Sequence, residues 1–277
     1  MTKANSKELP KRIFCLMLLV CLAAVVLGQT PSAPPAGLRG VIRLRVRIGE
    51  GPGTKAKGLS RKRFFLIKGS LEQNKSLVQS IVQRSVISRD CYYRGIGASK
   101  ELIAWLKQSD CESVYCREVE PKDIDGAEAV PEFQHAAVLG EKEFGSRELG
   151  RKWLTVNVKE ELRDGYYKQQ QRDLKTILNQ AEALSKAKVL SVMTDTNGTA
   201  FFTELEPGPY VVSNILPTET GSSAVLWNCE ITVKPGDLAT VKPYLLANAG
   251  NKDPRDVKNI KCVSTEKRLP DCPAASK

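Results

Sequence analysis

Two stretches of this chain alternate with a period of two, and this alternation limits the possible folds more than any other feature. In GVIRLRVRI, residues 40–48, isoleucine, leucine and valine occupy every second position and arginine fills the positions between them. AVLWNCEITV, residues 224–233, repeats the alternation and puts Cys229 on the same face as Trp227. Such a period predicts β-strands with one buried face. The fold must therefore contain sheet segments that are far apart in the chain.

The segment RKRFFLIKG, residues 61–69, predicts a strand with two apolar faces. A strand of this kind needs a cover on each side. We expect one face to lie against the sheet core and the other to lie beneath a different part of the chain. Strand-like sequence thus fills residues 40–68 and returns over residues 190–246.

The region between these segments, residues 69–189, has a helical rhythm. Apolar residues recur at spacings of three and four in SLEQNKSLVQSIVQRSVI, residues 70–87. Ser99 is a predicted N-cap for the helix KELIAWLKQ, and residues 160–187 are predicted to form a long helix weakened at Gly165. We therefore predict an α+β protein in which a long, mainly helical insertion interrupts a β-rich domain.

The segment TDTNGTAFFTELEPGPYVV, residues 194–212, combines a turn, a strand, a second turn and a second strand. Asp195 is placed to accept hydrogen bonds from the turn backbone, and Gly198 permits the positive φ angle that a tight turn needs. The pattern resembles the signature of prealbumin-like (transthyretin-like) sandwiches, which include carboxypeptidase regulatory-like domains and the B-type repeats of bacterial surface proteins. The matching residues are Thr194, Asp195, Gly198, Phe201, Phe202, Leu205, Pro207, Gly208, Tyr210 and Val212.

This resemblance covers about residues 40–68 and 190–246, and it implies an antiparallel immunoglobulin-like β-sandwich. Domains of these families assist folding, act as stalks, or bind proteins and glycans. The resemblance therefore implies a binding role without catalysis. The helical insertion and the cysteine-containing C-terminal tail, residues 247–277, lie outside it.

The N-terminal residues have the composition of a secretory signal peptide. Lysine and arginine precede an apolar run over residues 13–27, and small or modest residues then offer a cleavage site before Gln29. The run is shorter than the roughly 20 residues that span a bilayer, so cleavage is favoured over a retained anchor. We predict a signal peptide over residues 1–28, a linker over residues 29–39, and a secreted or periplasmic protein without a membrane span after cleavage.

Export determines how the cysteines are interpreted. Eight are present, and two of them fall within the predicted signal peptide. The others are Cys91, Cys111, Cys116, Cys229, Cys262 and Cys272. An even set in an exported chain predicts disulfide bonds. Cys262–Cys272 is the favoured pair, because a local loop closure would order a polar tail. For Cys111 and Cys116, pairing with each other and division between the remaining cysteines both stay open.

Three tyrosines lie close to these cysteines. Tyr92 and Tyr93 occur in CYYRGIG, and Tyr115 occurs in SDCESVYC. Aromatic side chains on a rigid loop are typical of recognition surfaces. Ordinary packing around a disulfide bond is the alternative interpretation.

The charge of the chain bears on its partners. Lys and Arg number 42 against 31 Asp and Glu, a formal net charge of +11 at pH 7. An exported basic protein favours acidic glycans or membrane surfaces, and the lack of aromatic-rich basic motifs argues against nucleic acid. Arg43, Arg45 and Arg47 are the candidate contact to an anionic partner, because like charges on one strand face repel unless they are solvated or matched. A solvated face, or acidic residues from the insertion, is the alternative.

No set of residues typical of an active site or a metal centre stands out. His135 is the only histidine, no C-x-x-C pair is present, and DIDGAE, residues 123–128, lacks the full ligand set of a calcium loop. We predict no enzyme activity, no metal and no cofactor. The predicted function is a binding or scaffolding protein of the cell envelope whose partner is an envelope protein or a glycan. The alternatives are a carbohydrate-binding accessory module and a hydrolase with its site in the insertion.

Overall fold

The computed structural model describes residues 39–49, 55–236, 243–247 and 261–272. The predicted signal peptide, residues 1–28, lies outside these residues. Ten strands are found in the described part: β1 (Gly40–Ile48), β2 (Lys57–Gly58), β3 (Arg63–Lys68), β4 (Leu190–Met193), β5 (Thr199–Leu205), β6 (Gly208–Ser213), β7 (Thr218–Thr220), β8 (Ser223–Val233), β9 (Tyr244–Ala247) and β10 (Lys261–Arg268).

The strands form two sheets. In the first sheet, β1 pairs antiparallel with β2 and β5 and parallel with β9. In the second, the order is β10-β8-β6-β3-β4, and β7 also pairs with β8. All of these pairings in the second sheet are antiparallel. The strands on each side of the helical region thus build the same two sheets, so the protein is α+β as predicted.

The two sheets share one hydrophobic core. From the first sheet, β1 contributes Ile42, Leu44 and Val46, none of which is exposed to solvent. From the second sheet, Phe64 of β3 and Trp227 of β8 join them, with 5.9 Å between the two ring centroids. Burial of each large apolar side chain stabilises the fold by about 1.5–3 kcal/mol. The alternation in residues 40–48 is therefore confirmed as one buried and one outward face.

The turn before β5 is built as its sequence predicts. Oδ1 of Asp195 accepts hydrogen bonds from the amides of Asn197 and Thr199, each at 2.8 Å. Gly198 has a φ of +77°, and a Cβ at this position would lie 2.3 Å from the carbonyl oxygen of Val46. The amide of Val46 donates to the carbonyl of Gly198 at 2.7 Å. This turn therefore fixes the position of β1 as well as that of β5.

Eight α-helices are described, and all of them lie between β3 and β4. They are α1 (Lys75–Gln83), α2 (Arg89–Gly95), α3 (Lys100–Gln108), α4 (Pro121–Asp125), α5 (Pro131–Phe144), α6 (Arg147–Lys152), α7 (Leu154–Asn157) and α8 (Tyr166–Ser185). Ser99 is confirmed as an N-cap, because its Oγ accepts from the amide of Leu102 at 3.0 Å. The predicted long helix consists of a π turn, Glu161–Gly165, followed by α8. Among the described helices, none is both long and apolar enough to cross a bilayer.

Helices α1 and α8 cover the outer face of the second sheet. Phe65 and Ile67 of β3 are buried with Leu77 and Ile81 of α1 and Ile177 of α8. The prediction that both faces of β3 are covered is confirmed, because the two other apolar residues of this strand lie in the core between the sheets.

The other helices enclose a separate hydrophobic core. Its fully buried members include Tyr93, Leu102 and Phe133. Helices α5 and α6 approach at two glycines, since a Cβ added to Gly140 would lie only 2.8 Å from the Cα of Gly150. The two backbones can therefore approach this closely only because neither glycine has a side chain.

Three cysteine pairs lie at disulfide distance: Cys91–Cys272, Cys111–Cys116 and Cys229–Cys262. The favoured Cys262–Cys272 pair is wrong. Residues 261–268 do not form a loop of their own but join the second sheet as β10. The register of β10 on β8 places Cys262 opposite Cys229, and the residues after β10 bring Cys272 to Cys91 of α2.

Candidate functional site

The outward side of β1 carries the three arginines indicated by the sequence. Because side chains alternate along a strand, the buried residues of β1 turn the arginines between them to the opposite face of the first sheet. Arg45 is exposed, and Arg43 and Arg47 are half-buried. Successive arginines are two residues apart, about 7 Å along the strand.

The strands beside β1 place other side chains among the arginines. Arg43 lies opposite Phe201 of β5, and Arg45 lies opposite Leu245 of β9. The Arg43 guanidinium is 5.7 Å from the centroid of the Phe201 ring, within the range of a cation–π contact. Phe201 nevertheless remains 48% exposed. We call the set Arg43, Arg45, Arg47 and Phe201 the arginine face.

In the described part of the chain, the charge of the arginine face is not matched by neighbouring carboxylates. Within the described part of the chain, no Asp or Glu oxygen lies within 4.0 Å of the side-chain nitrogens of Arg43, Arg45 or Arg47. Arg47 donates to a main-chain carbonyl at 2.6 Å. By contrast, Lys68 on the second sheet pairs with Glu206 at 2.6 Å. The sequence left open that acidic residues of the helical region neutralise these arginines. Among the described residues, none of them does so.

No residue of the arginine face lines either of the two best-formed cavities in the described part of the protein. One, of about 330 Å³, lies between α1 and β10 and is lined by Leu71, Val78 and Val263. The other, of about 290 Å³, is lined by Lys68 and Tyr210 among others. Small molecules usually bind in concave pockets. A set of side chains on an outward sheet face is better suited to an extended partner.

The tyrosines near the cysteines have different environments. Tyr93 is fully buried, and its ring packs edge-on against Tyr92 with 5.3 Å between centroids. Tyr92 also packs against Tyr166, with 5.6 Å between centroids. Burial raises the pKa of both Tyr93 and Tyr166. Tyr115 is 54% exposed. Packing accounts for the first two tyrosines of the predicted loop, and only Tyr115 of these three presents most of its ring to solvent.

A charged cluster that no sequence motif indicated lies where the helical region meets the second sheet. Arg89 of α2, only 7% exposed, is 3.4 Å from Asp110, and its amide donates to Glu219 of β7 at 2.8 Å. Lys62 pairs with the same Asp110 carboxylate. Desolvation by the surrounding protein raises the pKa of the Glu112 carboxyl, although the residue as a whole is exposed. Since two carboxylates are already engaged, the cluster fits a joint between the two regions better than acid–base catalysis.

The remaining candidates from the sequence do not converge on one site. His135 is exposed on α5. Asp123 accepts a hydrogen bond from the indole of Trp105 at 3.0 Å, and Asp125 pairs with Arg151. Among the residues whose positions are described, no group of three or more His, Cys, Asp or Glu side chains could hold a metal ion.

Comparisons of the chain with protein-family models, with curated proteins and with solved structures give no match.

Proposed function

We propose that this chain is an exported, disulfide-stabilised binding or scaffolding protein of the cell envelope, and that it holds an anionic partner on the arginine face. In this proposal the β-rich part is an immunoglobulin-like sandwich of the prealbumin-like type, antiparallel apart from the parallel pair of β1 and β9. Two sheets around one core support that assignment. Three cysteine pairs at disulfide distance support export, because disulfide bonds persist mainly in oxidising compartments.

One observation carries the binding role: three outward guanidinium groups on a single strand have no carboxylate partner in the described part of the chain. Guanidinium groups bind carboxylates, sulfates and phosphates through paired hydrogen bonds. Placing three of them side by side costs free energy through repulsion wherever their charge is not matched. An anionic partner would remove that repulsion and gain several charge-assisted hydrogen bonds at once.

The test replaces Arg43, Arg45 and Arg47 together with glutamine, which removes the charge and keeps most of the aliphatic stem. Binding of the mature protein to dextran sulfate is titrated at low and at high salt. We expect the variant to bind at least tenfold more weakly at low salt. Its affinity should also depend less on salt, because exposed charge interactions are screened by ions.

The matched control removes the same charge elsewhere, with glutamine at Lys100, Lys159 and Lys175, which are exposed in the helical region. It should bind almost as well as the parent protein. Equal weakening in both triple variants would mean that binding follows overall charge, and the arginine face would lose its assigned role.

A further inference from the structure

We infer that the anionic partner is a linear acidic polysaccharide, and that Phe201 stacks on one of its sugar rings while the arginines bind its acidic groups. This inference rests on the proposed function and names the ligand class of the same surface. Three features of the surface point to this ligand class: the pairing of β1, the ring beside the arginines, and the spacing of the arginines.

The pairing of β1 excludes one common way of binding an extended chain. At Leu44, β1 is paired on one side with Ala200 of β5 and on the other with Tyr244 of β9. A peptide that binds by strand addition gains its affinity from main-chain hydrogen bonds at a free sheet edge. The middle of β1 has no such edge. A partner lying across β1 must therefore be held by side chains, whereas a peptide added to β5, the end strand of this sheet among the described residues, would lie beside the arginines and not over them.

The aromatic ring beside the arginines favours a sugar. Phe201 points outward between Ala200 and Phe202, which are both buried. Phe201 is 48% exposed, although Arg43 lies near its ring. One face of a pyranose ring presents C–H groups, and such a face packs on an aromatic ring as other apolar groups do. An inorganic anion, or a peptide made of acidic residues alone, presents no comparable apolar face to the ring.

The spacing of the arginines favours a polymer. Arg43 and Arg47 are separated by four residues, about 14 Å along the strand, with Arg45 between them. A single small anion can meet one or two of these groups. A linear chain with repeated acidic groups can meet all three, and each further contact forms at high effective concentration. The exposed guanidinium of Arg45 sits at the centre of this row.

The experiment compares two polyanions, polygalacturonate and poly-glutamate, in titrations of the mature protein at one salt concentration. The parent protein should bind polygalacturonate more tightly than poly-glutamate of similar charge number. Phe201→Leu should weaken polygalacturonate binding roughly fivefold, the size expected for loss of an aromatic stacking contact. The same variant should weaken poly-glutamate binding clearly less, because all three arginines remain and only the contact of Arg43 with the ring is lost.

Two further variants control for folding and for general aromatic effects. Phe201→Trp enlarges the stacking surface and should bind polygalacturonate at least as tightly as the parent. Trp153→Leu removes another exposed aromatic side chain, 51% exposed near α6, and should leave both affinities unchanged.

The outcomes separate this inference from the proposed function. Equal parental affinities for the two polymers, or equal weakening of both by Phe201→Leu, would overturn the glycan assignment and leave an anion-binding face. If glutamine at all three arginine positions leaves both polymers bound, the proposed function fails as well. Selective loss of polygalacturonate binding in Phe201→Leu supports the assignment.

Discussion

Tyr93 and Tyr166 bury their rings in the helical region and still satisfy their hydroxyl groups. The Tyr93 hydroxyl donates to the carbonyl of Glu112 at 3.2 Å, and the Tyr166 hydroxyl donates to the carbonyl of Ile87 at 3.3 Å. A buried hydroxyl left without a partner would cost about 1–3 kcal/mol. Each residue therefore links its helix to a neighbouring loop through one hydrogen bond.

These two tyrosines predict a loss of stability in alkaline solution. Burial raises the pKa of both hydroxyls above the ordinary value of 10 that they have in the unfolded chain. At a pH between the unfolded and the folded pKa, the folded state therefore holds protons that the unfolded state has released. Their contribution is fully present below pH 10 and is lost as pH rises above it. The Tm should fall above pH 10, and it should fall less in a Tyr93→Phe, Tyr166→Phe variant. Thermal unfolding at neutral and alkaline pH checks this.

Tyr115 supplies the comparison for that measurement. Tyr115 is 54% exposed, so Tyr115→Phe removes a hydroxyl that does not belong to the buried pair and serves as the control variant. A double variant that follows the parental curve would show that the two buried hydroxyls do not control alkaline unfolding.

At the scale of elements, the contact between α5 and α6 depends on two residues without side chains. A Cβ on Gly140 would lie 2.8 Å from the Cα of Gly150 and 2.8 Å from the side-chain nitrogen of Asn157. Overpacking of this kind costs about 1–3 kcal/mol, which exceeds the gain of about 1 kcal/mol from the better helix propensity of alanine. Gly140→Ala should therefore lower the free energy of unfolding, measured with denaturant. Lys142→Ala, on the exposed side of α5, should be neutral or slightly stabilising.

The sequence predicts those elements whose own residues carry a local signal, such as an apolar alternation or a helix cap. β1 and β8 follow from alternation, and the start of α3 follows from the Ser99 cap. The outward position of the arginines follows from the same alternation, because burial of one side of β1 determines the other. These features are local, so their physical cause can be read without knowing the partner strands.

Other features depend on contacts between distant residues. β10 is polar and largely exposed, so its sequence, KCVSTEKR, lacks the alternation of apolar and polar residues that would predict a strand. Its position in the sheet comes from pairing with β8. The pairing of Cys262 with Cys229 follows from that register. Phe201 joins the arginine face only because β5 places it opposite Arg43. The cluster around Arg89 likewise assembles from segments that share no local pattern.

At the scale of the whole molecule, the cysteine pairs join regions that the chain order separates. Cys229–Cys262 connects two neighbouring strands, and Cys91–Cys272 connects the segment after β10 to α2 in the helical region. Cys111–Cys116 closes a short loop within the helical region. The first two restrict the relative positions of sheet, C-terminal strand and helices, whereas the third restricts only its own loop.

The stability cost of removing a pair should follow the length of chain that it closes. Cys91 and Cys272 are separated by 181 residues, and Cys111 and Cys116 by 5. In the chain-entropy description this corresponds to about 5 kcal/mol against about 2 kcal/mol. Serine at both positions of the long pair should therefore lower the free energy of unfolding more than serine at both positions of the short pair. Denaturant unfolding of the two double variants measures this, and the reverse order would contradict it.

β1 has a consequence for how this protein can change. Its inward residues form the core and its outward residues form the arginine face, so adding or deleting one residue would exchange the two sets. Substitution at the outward positions leaves the core residues in place. β1 therefore tolerates a substitution at an outward position, but it does not tolerate an insertion or deletion that shifts its register. A designer seeking a new ligand preference can rewrite its outer side while keeping its length.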